Sequence, residues 1–599
     1  MRSPLPYLLT RALALGLVAL PLAAGHPVSR DAQDPLVQAA HGYLHGRRAD
    51  LGMDHRTTFV YRKGRTDEVG ETHARFHQHY QGVRVWQGDA ITHTDAKGAH
   101  KAPTLAVFSH IDINTNPSIQ ASEALATAHG DLMPKGPYAN DPTAELVVLP
   151  HTYRALKAGA KAASLEHAKA SEIEDRVLEY QLAWHVHTEL ENGPEETKHV
   201  DYLISAHSGA ILKSWNTLHT AKPGGGGTTT TKPAVGTGTS QWYGPVTLNT
   251  VGVYASGATT PSSYQLTDTT RPASGGNSTY DLAGRTSGTG TIYSDANNAW
   301  GNGIWYGSGS YTTTSETGQT AAVDAHRGLQ ATWDFYKTVF GRNGINNAGK
   351  AAYSRVHYSR NYDNAFWSDS CFCMTYGDGN STGSHGEADL DTVGHEVSHG
   401  VCATEANLTY SGESGGLNEA SSDILGTMVE FWVLGGASGS TIPNAAGSAT
   451  TNGGKYANYK LFENSWAHSY PNDALRWMHK PSRDGASPDA WSSTLGSLDV
   501  HYSSGVANHF FFLLAHGPSI DTLTGPEASP VVAGTTAPTP IGNDKAARIW
   551  YKALCDHMTS STNYAGARKA TLDAAALLYG SGSPEYNAVA AAWTCVGVN

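Results

Sequence analysis

Three things are scarce in this sequence: cysteine, charge and long hydrophobic runs. Only 5 of 599 residues are Cys, and the odd number leaves at least one thiol outside any intramolecular pair. Charged residues make up 16% of the chain, with 41 Lys and Arg against 53 Asp and Glu, and there is no basic run of the kind that tracks a phosphate backbone. A nucleic-acid partner is set aside on that balance. Beyond the N-terminus no stretch reaches the ~18 apolar residues that a membrane span needs, so no membrane association is expected once the leader is gone. What the chain has in quantity is Gly, at 65 residues, together with 14 Trp and 29 Tyr. Abundant Gly, Ser, Thr and Tyr describe a loop-rich extracellular surface, and the aromatics supply ample core. At this length several domains are expected.

Residues 1–25 read as a secretory signal peptide. Arg2 and Arg11 precede the apolar run Ala12 to Leu20, and Ala23-Ala24-Gly25 supplies small residues for cleavage. Across 26–220, His73 to Tyr80, Val83 to Trp86, Leu178 to His187 and Val200 to Ala206 alternate polar and apolar positions, which predicts antiparallel strands. Helical stretches are expected near Ser122 to His129 and Ala158 to Ala170, and the clustered histidines read as solvated strand faces. Residues 221–240 open on Ala221-Lys222-Pro223-Gly224 and form a Gly/Thr-rich linker in which maturation cleavage is expected. Short strands dominate 241–394, with a helix from Ala321 to Phe340, and 395–599 is mainly helical. Of the cysteines, Cys555 with Cys595 is the favoured disulfide, because it would tie a C-terminal helix to the chain end. Cys402 reads as a buried apolar residue, and Cys371 and Cys373 are left open.

The chemistry is concentrated between Asp391 and His399. Leu390, Val393, Val397 and Val401 recur at helical spacing and bury one stripe. His395 and His399, four apart, lie one above the other on another stripe and can reach a single cation. Glu396 follows His395 by about 100° of rotation, near enough to touch a water on that cation yet poorly placed as a ligand. After a Gly/Ser-rich turn comes a second helix carrying Asn418, Glu419, Asp423 and Glu430. With Glu419 at zero, Asp423 projects at about 40° and Glu430 at about 20°, so three carboxylates share one face. Two such helices joined by a short loop pack antiparallel, His399 beside Glu419 and Asp391 beside Glu430, and a buried strip this acidic needs cations. His395, His399 and Glu419 form a three-ligand set that leaves a fourth zinc position open, with Asp423 holding the His395 ring by its other nitrogen. Asp391 and Glu430 offer only hard oxygens and suit calcium.

These motifs, His-Glu-x-x-His followed by Gly-x-x-Asn-Glu-x-x-x-Asp, resemble those of the thermolysin-type zinc endopeptidases. The longer metzincin pattern would need Gly at position 402 and His at 405, where this chain has Cys402 and Glu405. The resemblance implies an α+β multidomain chain: a β-rich catalytic lobe (241–394), a helical lobe (395–599) with the zinc helix between them, and a strand-rich α+β propeptide (26–220) that inhibits the enzyme and assists its folding. It implies a secreted neutral endopeptidase made as a zymogen, monomeric when mature, with one catalytic zinc and a preference for bulky hydrophobic residues after the cut bond. In that mechanism Glu396 acts as general base on the zinc-activated water and passes the proton to the leaving amine. By the same resemblance His501, its ring held by Asp499, and Tyr410 support the oxyanion. Arg476 binds a substrate carbonyl, and Asn364 and Ala365 contact the peptide.

Two stretches depart from the family pattern. Cys371-Phe372-Cys373 alters the edge of the cleft. Asn458 and Lys460 stand where members with a double calcium site carry carboxylates, so one calcium is expected, held by Asp391 and Glu430 with help from Asn458 and Glu463. A peptidase of narrow or exopeptidase specificity and a non-enzymatic exported metal protein are the alternatives. Glu396 argues against the last, because a structural site has no use for a carboxylate held off the metal.

Overall fold

Alternating side chains in the N-terminal third build one large, mostly antiparallel sheet. In the computed structural model the described residues are 28–193, 196–218, 230–380, 384–436, 439–447, 455–466, 474–521, 523 and 527–599. The leader at 1–25 and residues 221–229 of the expected linker lie outside them. Thr57–Thr66, Thr72–Tyr80 and Val83–Thr94 form a meander, and Tyr138–Leu156 joins it in parallel. Ile173–Glu191, Thr197–Ser205 and Ile211–Asn216 then extend the sheet antiparallel.

Pro35–Gly46 and Ala121–Leu132 are its helices, each burying an apolar stripe. The helix expected over Ala158 to Ala170 is replaced by two short 3-10 turns, Leu165–His167 and Ala170–Glu172. Ala and Lys favour helix there, but without an apolar stripe to bury, propensity alone does not hold so short a helix. The histidines read as solvated are partly wrong as well: His73, His93 and His199 are buried.

The expected linker is shorter than 221–240. Thr230–Ser240 is a strand of the catalytic lobe, paired antiparallel with Gly244–Tyr254 along its whole length and parallel with Ala299–Trp300. Ladder hydrogen bonds on both edges, and the burial of the small residues Gly236, Gly238 and Ser240 on the inward face, outweigh the low-complexity composition that suggested a flexible segment. A mixed sheet follows, and over it runs the helix Glu316–Phe340, started by the Ser315 hydroxyl accepting from the Gly318 amide at 3.2 Å and ended at Gly341 with φ +66°. The C-terminal lobe is helical, with Gly412–Leu434 buried on nearly all sides at its centre.

The zinc-motif helix, Leu390–Thr404, crosses the expected lobe boundary and packs on Gly412–Leu434. Two glycines let these backbones touch. A Cβ on Gly394 would meet Gly426 Cα at 2.9 Å, and a Cβ on Gly426 would meet the Asp391 carbonyl oxygen and the His395 amide nitrogen at 2.7 Å. Only helices this close can bring short side chains from both onto one ion. We therefore expect Gly426→Ala to push the helices apart, costing about 1–3 kcal/mol in urea denaturation and weakening metal retention. Unchanged stability and metal content would show that the close approach is not required.

The disulfide expectation is corrected. Cys371 and Cys373 are bonded to each other, with Cα atoms 5.3 Å apart, while Cys402, Cys555 and Cys595 are free and buried. The Cys595 thiol donates to the Thr536 carbonyl at 3.3 Å rather than meeting Cys555, which sits in the wide turn Ala553–His557 under the propeptide. Among the described residues no helix is long and apolar enough to cross a membrane.

The N-terminal sheet docks on the rest of the chain through fixed cations. Arg62 donates to the carbonyls of Ala403 and Glu405, and Lys63 to that of Thr404, so positive charge caps the C-terminus of the zinc-motif helix. Arg65 holds Asp556 through two bonds of 2.7 and 2.6 Å, and Arg154 reaches Glu413 at 2.6 Å.

Candidate active site

The two packed helices place three ligand atoms around one point. His395 Nε2 and His399 Nε2 are 3.0 Å apart, and Glu419 presents Oε2 at 3.6 Å from the first and Oε1 at 3.4 Å from the second. All three residues are buried. The rings are held from behind: His395 Nδ1 donates to Asp423 Oδ1 and His399 Nδ1 to Asn418 Oδ1, both at 2.8 Å. That fixes each tautomer with its Nε2 lone pair facing the shared point, as partners on the far ring nitrogen do for metal-bound imidazoles. Glu419 Oε2 has no hydrogen-bond partner despite full burial. Two imidazole nitrogens and an orphaned carboxylate oxygen fit a divalent zinc-type ion.

Glu396 is on the same helix but turned aside. Its Oε2 accepts the backbone N–H of Trp367 at 3.0 Å, which anchors it to the edge strand Ala365–Ser368. Burial pushes its carboxyl up to about 7, His395 pulling against this and Glu419 adding to it. Burial also opposes ionisation of Glu419, yet His501, His399 and His395 outweigh it and hold that carboxyl at about 2.

Asp423 lies well below the usual carboxylate range: burial works against it, but Arg476 and His395 win. Arg476 spends Nε and Nη2 on Asp423, at 3.1 and 2.6 Å, and stacks its guanidinium 4.9 Å from the Phe462 ring centre. Arg476 thus braces the ring-holding carboxylate while lining the cavity.

Across the site, Tyr410 donates to Glu419, and its hydroxyl is 3.3 Å from His501 Nε2. Asp499 Oδ1 takes the other ring nitrogen of His501 at 2.7 Å. Burial lowers the proton affinity of His501, but Glu419 and Asp499 overcome it and keep the ring above its ordinary value.

These groups line a cavity of about 590 Å³ that also includes Asn364, Ala365, Phe366, Phe462 and Leu475. Asn216 and Leu218, from the end of the propeptide, line it too. Sequence reasoning missed the Asn418 contact, although the residue stands beside Glu419 in the motif. It also missed the Trp367 amide, for which the sequence carries no signal, since a backbone donor belongs to any residue.

A second acidic group lies further along the same helices. Asp391 and Glu430 are joined by Glu463 and by Asp389, which the sequence reading did not include; Asp389, Asp391 and Glu430 are buried, and Glu463 is half-buried with its Oε2 turned inward. Phe462 N–H donates to Asp391 at 2.5 Å, Asn458 N–H to Glu430 at 3.3 Å and Asn458 Nδ2 to Glu463 at 2.8 Å. Asp389 Oδ1, Glu430 Oε1 and Glu463 Oε2 have no hydrogen-bond partner. Burial raises all four carboxyls; repulsion from the neighbouring carboxylates adds to it for Asp391, Glu430 and Glu463, the last reaching about 7, while hydrogen bonds from Thr392 and Ser465 oppose it for Asp389.

A β-rich lobe and a helical lobe with two imidazoles, a carboxylate and an offset Glu at their seam define a metallopeptidase. Family models agree: residues 235–403 match the thermolysin metallopeptidase catalytic domain, 406–598 its alpha-helical domain, and 57–102 the fungalysin/thermolysin propeptide motif. The chain belongs to the thermolysin family of metallopeptidases, hydrolases of peptide bonds, and is made with a propeptide. It is 39% identical over 550 residues to a transglutaminase-activating metalloprotease of Streptomyces mobaraensis, covering 92% of this chain and 62% of that protein. It is 31% identical to bacillolysin of Bacillus cereus over 586 residues, 93% of this chain and 88% of that one. A solved protealysin precursor from Serratia proteamaculans aligns with TM-score 0.40 at 24% identity, over 55% of this chain and 90% of that one.

Proposed function

We propose that the protein is a secreted, zinc-dependent neutral endopeptidase that cuts proteins before bulky hydrophobic residues and is held inactive by its own propeptide. The convergence of His395, His399 and Glu419 beside Glu396 carries this reading. Zinc, when bound by those three residues, supplies a Lewis acid that polarises the scissile carbonyl and acidifies water. Glu396, half-buried and 3.0 Å from the Trp367 amide, accepts the proton of the attacking water and returns it to the leaving amine nitrogen. Water adds across the C–N bond, which breaks to a carboxylic acid and an amine. Tyr410 and His501 support the oxyanion, with Asp499 holding the His501 ring in its donor tautomer. Asn364 and Ala365 sit where an extended peptide would pair along the edge strand.

The hydrophobic preference is supported by Phe366, Phe462 and Leu475 in the cavity wall, and inhibition by Asn216 and Leu218 in the same cavity. The four-carboxylate group fits one calcium, held by Asp389, Asp391, Glu430 and Glu463, with Asn458 orienting Glu463. The leader at 1–25 supports export, and a monomeric mature enzyme is the simplest assembly. The test is mapping of the bonds cut in a denatured protein by the processed enzyme, with elemental analysis. Internal cuts before Leu, Phe and Ile and one zinc per chain are expected. Release of terminal residues alone would turn the reading to an exopeptidase, and a zinc-free active enzyme would overturn it.

A further inference from the structure

The seam between propeptide and catalytic domain holds a group of histidines that peptide hydrolysis does not use. His73 and His93 face each other across the paired strands Thr72–Tyr80 and Val83–Thr94. His557, from the turn Ala553–His557 of the catalytic domain, completes the group, its ring centre 5.0 Å from that of His93 and 5.8 Å from that of His73. His73 and His93 are buried, and His557 is 9% exposed.

Hydrogen bonds fix how many protons the group holds. His73 Nε2 stands 3.0 Å from Asp67 Oδ2 and donates to it, so its Nδ1 is the lone-pair nitrogen. That nitrogen faces His93 Nδ1 at 2.8 Å, a gap with room for one proton, which His93 donates. His93 Nε2 then accepts from the Thr104 hydroxyl at 3.0 Å. Asp67, His73, His93 and Thr104 thus form a closed relay in which both rings are neutral. His557 Nε2 has no hydrogen-bond partner. Protonating His557 would leave an unpaired cation in the seam, its ring centre 5.0 Å from that of His93.

No uncommitted counter-ion is at hand among the described residues. Asp556 already takes both arms of Arg65 and the Lys552 ammonium, and lies 3.7 Å from His73 Nε2. Asp67 takes Lys552 as well as His73, Glu68 faces Lys552, and Glu71 is held by Lys101. On the cationic side Arg75 donates to the carbonyls of Leu554, Cys555 and Met558, and Lys569 adds its field at His93. Burial holds His93 and His557 well below the ordinary imidazole range, neighbouring rings adding to the effect.

We propose that this three-histidine cluster is an acid-sensitive latch: the propeptide stays docked while His93 and His557 are neutral and lets go as those two rings take up protons on mild acidification. The sign follows from linkage. A ring that titrates at ~6.5 when free and lower when docked gives docking its full strength above that pH, and weakens it below by at most about tenfold per pH unit per ring. The acids of the cluster do not share this window. Burial opposes their ionisation, but the hydrogen bond from His73 and the Lys552 ammonium hold Asp67 at about 2, and Arg65 and Lys552 hold Asp556 well below the carboxylate range.

The test uses the full chain carrying Glu396→Gln, so that it does not process itself, with a recognition site for a sequence-specific protease placed within residues 221–229. After cleavage, the dissociation constant of the noncovalent propeptide complex is measured at pH 7.5, 6.5 and 5.5. We expect it to rise at least ~10-fold across that range, and His93→Gln with His557→Gln to cut the rise below ~3-fold while the complex at pH 7.5 survives. A flat profile in the parent, or the same rise in the variant, overturns the proposal. Should the double variant fail to fold, His557→Gln alone is judged by whether it reduces the rise. Hydrogen exchange of 72–94 and 553–558 in the uncut chain decides independently, since full protection retained at pH 5.5 would refute the latch. Because the readout is binding, it stands apart from whether the docked propeptide inhibits.

Discussion

Glu396→Gln is expected to retain its zinc and lose hydrolysis, with kcat/KM falling about 10²- to 10⁴-fold, the range a positioned general base contributes. The substitution keeps the volume and an oxygen able to accept the Trp367 amide, so the anchor to the edge strand survives. The ligand cluster is likewise untouched, because His395, His399 and Glu419 are oriented by Asp423, Asn418 and Tyr410. What disappears is the half-buried carboxylate of Glu396, which borders the ligand point without being a ligand. The loss falls in kcat with little change in KM, since Glu396 acts on the proton in flight and contributes little to substrate binding. The same chain should stay unprocessed if the propeptide is removed by the enzyme itself. Steady-state kinetics with zinc analysis checks this. Activity within a few-fold of the parent would end the assignment of Glu396 as base.

The second large effect is expected from calcium. Four clustered carboxyls, all with raised proton affinity, cannot all ionise near neutral pH without a cation among them. Withdrawing calcium with a selective chelator while zinc is kept saturated should lower the melting temperature by about 3 to 4 °C, as removal of a ligand present at ~100 Kd does for a domain of this size. Autolysis should accelerate with it. The cost falls on the pairing of the zinc-motif helix with Gly412–Leu434, because Asp391 and Glu430 sit one on each. Glu430→Gln should blunt the calcium dependence. A melting temperature indifferent to calcium, or two tightly held ions per mature chain, would refute the single site.

Much of the site was legible because helical geometry is local. Four residues between His395 and His399 is one turn, and the rotation that puts Glu419, Asp423 and Glu430 on one face holds for any straight helix. The contacts that failed to show are those made by groups without a sequence signature: the Trp367 amide and the loop-borne Asp389. The cysteine pairing went wrong for a related reason. Spacing says which thiols could be near each other, but the contact of Cys595 with Thr536 and the burial of Cys555 under the docked propeptide depend on elements far apart in the chain.

The sequence by itself determined which donor groups can meet at the candidate metal sites and the order of the parts, since donor type, helical phase and strand alternation are properties of a few consecutive residues. Tertiary structure alone decided where the propeptide grips, which glycines let the two motif helices close on each other, and that His73, His93 and His557 share one buried seam. Those outcomes turn on burial and on desolvated charge, which exist only once distant segments have excluded water between them.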